Sequence, residues 1–561
     1  MRGLYPVPTR GYAGAVPEPR QPARRAVDPR TAVAALALAL GVAAVAIRLW
    51  SAWHARLSPE EASFWSTGVG IARGQEFPAL GLAVSGSRAQ LPGPLFFWII
   101  ALSQIFVTSP LVGGFSFSMF GLFSVLVLSR AIDARTPSAT APPSAPPFRA
   151  VTAALERPGP MLFLFLLAAP WWVIYTNSTW PGYIMTSATA CLVAALFRMV
   201  GKDGTKGDGA PSRAALAVGF LLVVGFQIHL SLLHYWPLTL AVVAIFRPRI
   251  AWRWLAAGAL LGAACYIPYV VYEIRTGFAN TRLLLVKSQG GARDLRTLAG
   301  LYLYFFGFAT TDISFLWQHG FWYPFDHFRF WGGTGTRQTT EFFRTAGPVA
   351  FLWSMHVLSW LVSLAALATG AARTIVACRR PGRWKPGPMT VVYLVAFVDI
   401  AGFYAMSGKG GYAHYVSVLL PVAYFPVASF LAWIARARAG RVAVVTYLAL
   451  FAVAGLMVMR GYYRVDSRWS AVQTERVVGY VLARTRGADG RQQPFQLQFG
   501  FAPSWSFPYA IVARRMFHAP WLSQGQAGAP HAFYVGPRDP GTVLPASPDR
   551  LELETIYVEG R

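Results

Sequence analysis

Long apolar runs separated by short, mostly basic polar stretches set the pattern of this chain. The first run covers 31-50. Others lie near 91-108, 109-130, 159-176, 183-200, 214-230, 235-246, 254-273, 348-370, 388-406, 414-435 and 442-460. A helix needs about 20 apolar residues to cross a bilayer core, and most of these runs are near that length. The pattern therefore predicts an all-α polytopic membrane protein. Beyond residue 460 the period changes. An amphipathic helical pattern covers 467-485, and strand-like runs follow at Phe495-Phe501, Ala532-Val535 and Leu551-Val558. These predict a small C-terminal α/β domain.

Composition narrows the class. Of 561 residues, 55% are hydrophobic and 13% charged, against about 25% charged in a soluble domain. Such a chain is neither a soluble multidomain enzyme nor a disordered one, since disorder goes with low hydrophobicity. The three cysteines are Cys191, Cys265 and Cys378. None falls in a segment expected to be exported, so no structural disulfide is expected, and no zinc-type spacing exists.

The formal charge of +27 comes from 50 Lys and Arg against 23 Asp and Glu. If every apolar run crossed the membrane, the basic loops near 131-158, 201-213, 247-253, 371-387 and 436-441 would all lie outside. The positive-inside rule disfavours that arrangement. The run 91-108 is short and opens with Pro92-Gly93-Pro94. Reading it as a helix that does not cross brings all five loops inside and leaves about 11 spans. Inside segments then hold about 23 Lys and Arg against 6 acids, and outside segments about 22 against 15. The excess charge marks topology, and a nucleic-acid partner is not expected.

The resulting expectation is a multi-pass protein of the cell (inner) membrane, with a cytoplasmic N-terminus and an extracytoplasmic C-terminus. Residues 1-30 form a cytoplasmic basic tail. Residues 31-460 form the transmembrane domain, with outer loops 51-108 and 274-347. Residues 461-561 form an extracytoplasmic soluble domain. The first run has no clear cleavage site and reads as an anchor.

Candidate chemistry gathers on the outer side. Ser58-Pro59-Glu60-Glu61 follows the first span. Ser58 and Glu61 have capping-box spacing, and a carboxylate beside an apolar interface can equally serve as a general base. Glu60 and Glu61 point to different sides of a helix, so one of them is the expected base. His229 and His234 lie at the hairpin Gln227-Pro237, as interfacial residues or as phosphate or metal ligands. Arg275 and Arg282 end another span, where cations can anchor the helix or clamp a phosphate. Gly408-Lys409-Gly410-Gly411-Tyr412-Ala413-His414 is a tight outer loop whose Lys409 and His414 could reach an anion. Asp399 is the only acid well inside a span, a costly position that often marks function.

These segments resemble a known family. Glu60-Glu61-Ala62, with a following aromatic, is similar to the acidic pair after the first span of C-type glycosyltransferases, in the protein O-mannosyltransferase and aminoarabinose transferase superfamily (glycosyltransferase families 39 and 83). Pro92-Gly93-Pro94-Leu95-Phe96-Phe97 resembles that family's Pro-Pro-Leu-Tyr-Tyr segment. Ala168-Trp172 through Trp180-Pro181, Gln227-Pro237, Tyr272-Arg282 and His414-Pro421 look like further family segments in the expected order, and the resemblance covers about 30-435. It implies an inverting enzyme that takes a sugar from a polyprenyl-phosphate donor, deprotonates an acceptor hydroxyl with Glu60 or Glu61, and holds the leaving phosphate with basic residues. Some members place a divalent metal near the site. The acceptor could be a protein, a glycolipid or a wall polymer. The chain departs from the family in having Glu-Glu for Asp-Glu, no carboxylate at Trp180-Pro181-Gly182, and histidines near the hairpin in place of a lysine.

Two other readings stand beside the transferase. A lipid or glycolipid transporter or flippase would tend to show internal repeats and midplane charges. A scaffold would bind envelope components through its 461-561 tail and would not need the glutamates.

Overall fold

The computed structural model describes residues 29-55, 57-84, 88-134, 151, 153-174, 176-177, 179, 181-200, 210-285, 349-378, 387-407, 418, 420-466, 470-499, 506-517, 521-522, 531-537, 549-553 and 556-560. The helices are α1 (Pro29–Trp53), α2 (Pro59–Ala72), α3 (Leu95–Ser103), α4 (Pro110–Asp133), α5 (Pro158–Ala168), α6 (Pro170–Ile174), α7 (Pro181–Val200), α8 (Ala210–Ile228) and α9 (Tyr235–Phe246). A 3₁₀ turn, Leu230–His234, joins the last two. Then come α10 (Trp252–Ala264), α11 (Ile267–Thr276), α12 (Ala279–Leu285), α13 (Val349–Cys378), α14 (Pro388–Ser407), α15 (Leu420–Ala423), α16 (Phe425–Ile434), α17 (Arg438–Asp466), α18 (Ala471–Arg484) and α19 (Ser506–Phe517).

Proline sets many of these boundaries. It lacks a backbone N–H and is tolerated at a helix's first turn, where that donor has no partner anyway. Pro59, Pro110, Pro158, Pro170, Pro181 and Pro388 each open a helix. Prolines also split runs that hydropathy reads as continuous. The run 159-176 breaks before Pro170, and 414-435 gives α15 and α16, with Pro421 and Pro426 in their first turns. The run 254-273 becomes α10 and α11, bent by 49° ahead of Pro268.

Among the described residues, three helices are long and apolar enough to cross a membrane: Pro110–Asp133, Ala350–Val376 and Arg438–Gly461. The bent α10–α11 pair makes a fourth if counted as one span. Seven shorter apolar helices accompany them. α3 has nine residues, about 14 Å at 1.5 Å per residue, against a core of about 30 Å.

Packing follows small residues. α8 and α10 lie so close that a Cβ at Gly219 or Gly258 would run into the backbone of the opposite helix, the close approach that glycine permits in membrane bundles. Deeper in the bundle, the rings of Phe165 and Phe451 stack at 4.5 Å and join α5 to α17.

The C-terminal segment carries a five-stranded sheet. Its strands are β1 (Phe495–Phe499), β2 (Trp521–Leu522), β3 (His531–Pro537), β4 (Arg550–Glu552) and β5 (Ile556–Gly560), in the order β2-β1-β3-β5-β4. β1 pairs in parallel with β2 and β3, whereas β5 pairs antiparallel with β3 and β4. Val477, Val481, Tyr509 and Val512 from α18 and α19 are buried with Leu497, Phe533, Val535 and Val558 from the sheet. α19 has no counterpart in the hydropathy reading. Its core positions Tyr509, Val512 and Ala513 follow an i, i+3, i+4 spacing, but Arg514 and Arg515 interrupt the apolar count. The expected interfacial stretch Leu301-Phe308 lies outside the described residues.

Candidate functional site

The first turn of α2 separates the two glutamates. The Ser58 backbone N–H donates to Glu61 Oε2 at 2.7 Å, and the Glu61 N–H donates to Ser58 Oγ at 3.2 Å. This is a complete capping box, and it satisfies two orphan donors of the helix start. Glu61 is 1% exposed. Glu60, about 100° further round the helix, is exposed. The buried face of α2, Ala62, Trp65 and Val69, turns to the core, and α2 packs on α3.

α3 starts without a side-chain cap of its own. Gln227, fully buried at the end of α8, supplies one, since the Leu95 N–H donates to its Oε1 at 3.3 Å. Gly93 sits against the same carboxamide with φ +104°, where a Cβ would collide with it. The Pro92-Gly93-Pro94 segment is therefore shaped to the α8 end.

The two hairpin histidines do different work. His229 caps the 3₁₀ turn, its Nδ1 accepting from the Ser231 N–H at 3.1 Å. An Nδ1 that accepts a backbone N–H carries no proton. The ring is thus held as a neutral acceptor at Nδ1. His234 is 3% exposed, and its Nδ1 lies 2.8 Å from Asp399 Oδ2 on α14. This gives Asp399 a partner that the sequence does not reveal.

The α11–α12 turn is also built on buried polar groups. Glu273 accepts from the Asn280 and Thr281 N–H groups at 3.2 and 3.1 Å. The Asn280 amide then pairs with both backbone groups of Gln90, at 2.7 and 2.9 Å. Arg275 and Arg282 are exposed beside this turn. Lys409 and His414 lie outside the described residues.

A polar cluster missed in the sequence reading joins α1 to the turn after α6. Arg48, 1% exposed, donates to Thr176 Oγ1. Asn177 Nδ2 donates to Ser51 Oγ at 2.8 Å and to the Tyr463 hydroxyl, and Ser51 Oγ and Tyr463 OH lie 2.5 Å apart. An arginine inside an apolar run was the available signal. The C-terminal segment adds Arg515, which pairs with Glu76 and donates to Ser66 Oγ at 2.9 Å.

Hydrogen bonds therefore tie the loop bearing Glu60 and Glu61 to the hairpin bearing His229 and His234 through Gln227. They tie the same loop to the turn bearing Arg275 and Arg282 through Asn280. Among the described residues, no group of three His, Cys, Asp or Glu side chains could hold a metal ion.

Comparison with known proteins places the fold. No family model matches the chain, and no curated protein sequence matches it. Among solved structures, it is similar to the crystal structure of ArnT from Cupriavidus metallidurans in the apo state. That likeness has a TM-score of 0.50 and 12% identity, covering 94% of this chain and 98% of the other. The same protein bound to undecaprenyl phosphate matches with a TM-score of 0.46 and 13% identity over the same shares. At this level of identity the likeness shows the fold.

Proposed function

We propose that this chain is an integral-membrane glycosyltransferase that moves a sugar from a polyprenyl-phosphate donor to an acceptor on the extracytoplasmic face. One observation carries the reading: in an ArnT-like fold, the helix directly after the first span leaves one carboxylate, Glu60, exposed in its first turn. The proposed topology has about 11 spans, with the soluble C-terminal segment outside.

In this reading Glu60 is the general base and Glu61 shapes the helix start. Glu60 takes the proton of the acceptor hydroxyl. The hydroxyl oxygen attacks the anomeric carbon, the bond from that carbon to the donor phosphate breaks, and the phosphate leaves with the electron pair. Arg275 and Arg282, with Lys409 and His414, stabilise the growing negative charge. His229 contributes to shape, because its neutral ring is committed to the 3₁₀ turn. Removing a general base typically costs about 10²- to 10⁴-fold in rate.

The test is complementation of a deletion strain, read by mass spectrometry of envelope glycans and glycoproteins. Glu60→Gln is expected to leave the missing glycan absent while the protein stays in the membrane. Glu61→Gln is expected to restore it, because glutamine also serves at the third position of a capping box. Full restoration by both single variants and by the double variant would overturn the role of the pair. The rival reading, a lipid or glycolipid flippase, draws on the part-buried His234–Asp399 pair, since such pairs also occur on ion pathways. Glycolipid flipping in liposomes without covalent product would favour it.

A further inference from the structure

α13, α14 and α16 line an open cavity of about 650 Å³. That volume is in the range of built ligand sites, about 300–1,000 Å³. Leu367, Leu394 and Phe430 are among its apolar walls, and its polar groups include Arg373, Thr374 and Ser429. Among the described residues, Arg373 is the one charged side chain in the lining. Its guanidinium stands 4.6 Å from the centre of the Trp433 ring. A stacked guanidinium keeps its in-plane N–H donors available. No acid accepts from Arg373 among the described residues.

The cavity's position adds to this. It lies at the end of the bundle where α13 leads toward α14 and α16 toward α17. In sequence, Arg379, Arg380, Arg383 and Lys385 follow α13, and Arg436 and Arg438 follow α16. Leu364 and Ile375, on a helix long and apolar enough to cross a membrane, and Leu394, on the shorter apolar stretch of α14, are exposed apolar side chains nearby. An apolar slot on such a surface, with an arginine at its rim that no acid engages among the described residues, fits a ligand with a long hydrocarbon part and an anionic head.

We propose that this cavity binds an anionic diacyl phospholipid, with its phosphate accepting from Arg373 and one acyl chain lying along Leu367, Leu394 and Phe430. The bound lipid would brace α13 against α14 and α16.

Native mass spectrometry of the purified, delipidated full chain tests this. The probes are phosphatidylglycerol, phosphatidylcholine with the same chains, inorganic phosphate and undecaprenyl phosphate. One phosphatidylglycerol is expected to bind at least about tenfold more tightly than phosphatidylcholine, about 1.4 kcal/mol. Inorganic phosphate is expected not to compete. Arg373→Gln and the cavity-filling Ser429→Trp should each lose that preference. Arg436→Gln, an exposed cation outside the lining, should keep it. Equal binding of both phospholipids, equal loss in Arg436→Gln, or retention in both cavity variants would overturn the site. So would displacement by inorganic phosphate alone. Preferential capture of undecaprenyl phosphate would overturn the diacyl assignment. If Ser429→Trp fails to fold, Arg373→Gln alone decides between retention and loss.

Discussion

His234 and Asp399 meet at 2.8 Å from positions 165 residues apart. Asp399 was conspicuous in the sequence as an acid inside an apolar run, but its partner was not legible, because pairing across such a separation depends on how two helices dock. Removing one member of a pair leaves the other unsatisfied, at about 3–5 kcal/mol where both are fully buried and less here, where Asp399 is part-buried. His234→Phe is therefore expected to lower the unfolding temperature in detergent markedly, and Asp399→Leu to do the same. The double variant should recover most of the loss, since two apolar residues leave nothing unsatisfied. Losses that simply added would show the two side chains to be uncoupled. Gly93 makes a second case. Its φ of +104° and its contact with Gln227 admit no side chain. Gly93→Ala should destabilise the protein by about 1–3 kcal/mol through backbone strain alone, and the same thermal melts would detect it. The Glu60-Glu61 pair was legible as two candidates only. Capping-box spacing marked Glu61, and the structure separates the two by burying one and exposing the other.

The long apolar helices were legible from hydropathy alone, and proline fixes where several of them begin. Helices interrupted by proline were not, because a hydropathy window averages across the break. α19 escaped for another reason: its arginines look like surface residues, and only the packed fold shows Arg515 reaching α2. The same docking brings Glu475 of α18 against Ser109, whose hydroxyl donates to it at 2.6 Å. Burial raises the Glu475 pKa, and the Ser109 hydrogen bond offsets part of that rise. A carboxyl with a raised folded-state pKa binds more protons folded than unfolded. Its contribution is fully present below the unfolded value and fades as pH climbs through the folded one. Docking of α18 on the Ser109 turn should therefore loosen as pH rises from the ordinary glutamate range, and Glu475→Gln should flatten that trend. Hydrogen exchange of α18 amides across the window would detect it, and identical profiles in both proteins would count against Glu475 as the cause.

Across the whole molecule, the sorting of charge is the feature that sequence alone made most visible, and the side of the membrane on which Glu60 works depends on it. A polyprenyl-phosphate donor used outside requires the α2 loop and the α11–α12 turn to be outside, and the α9–α10 connection to be inside. Arg88 and Arg249 are both exposed and sit on these opposite faces of the proposed topology. In a background where Cys191, Cys265 and Cys378 are replaced by serine, single cysteines at these two positions can be challenged with a membrane-impermeant maleimide. Arg88→Cys is expected to label in intact spheroplasts. Arg249→Cys is expected to label only after permeabilisation. The opposite pattern would turn the protein over and put Glu60 with the cytoplasmic sugar nucleotides, leaving the +27 of the chain without its topological explanation. Labelling of both in intact spheroplasts would mean an even number of crossings between them. That result would overturn the reading of α3 as the apolar helix that stops short, since the parity of the segment from α3 to α9 rests on it.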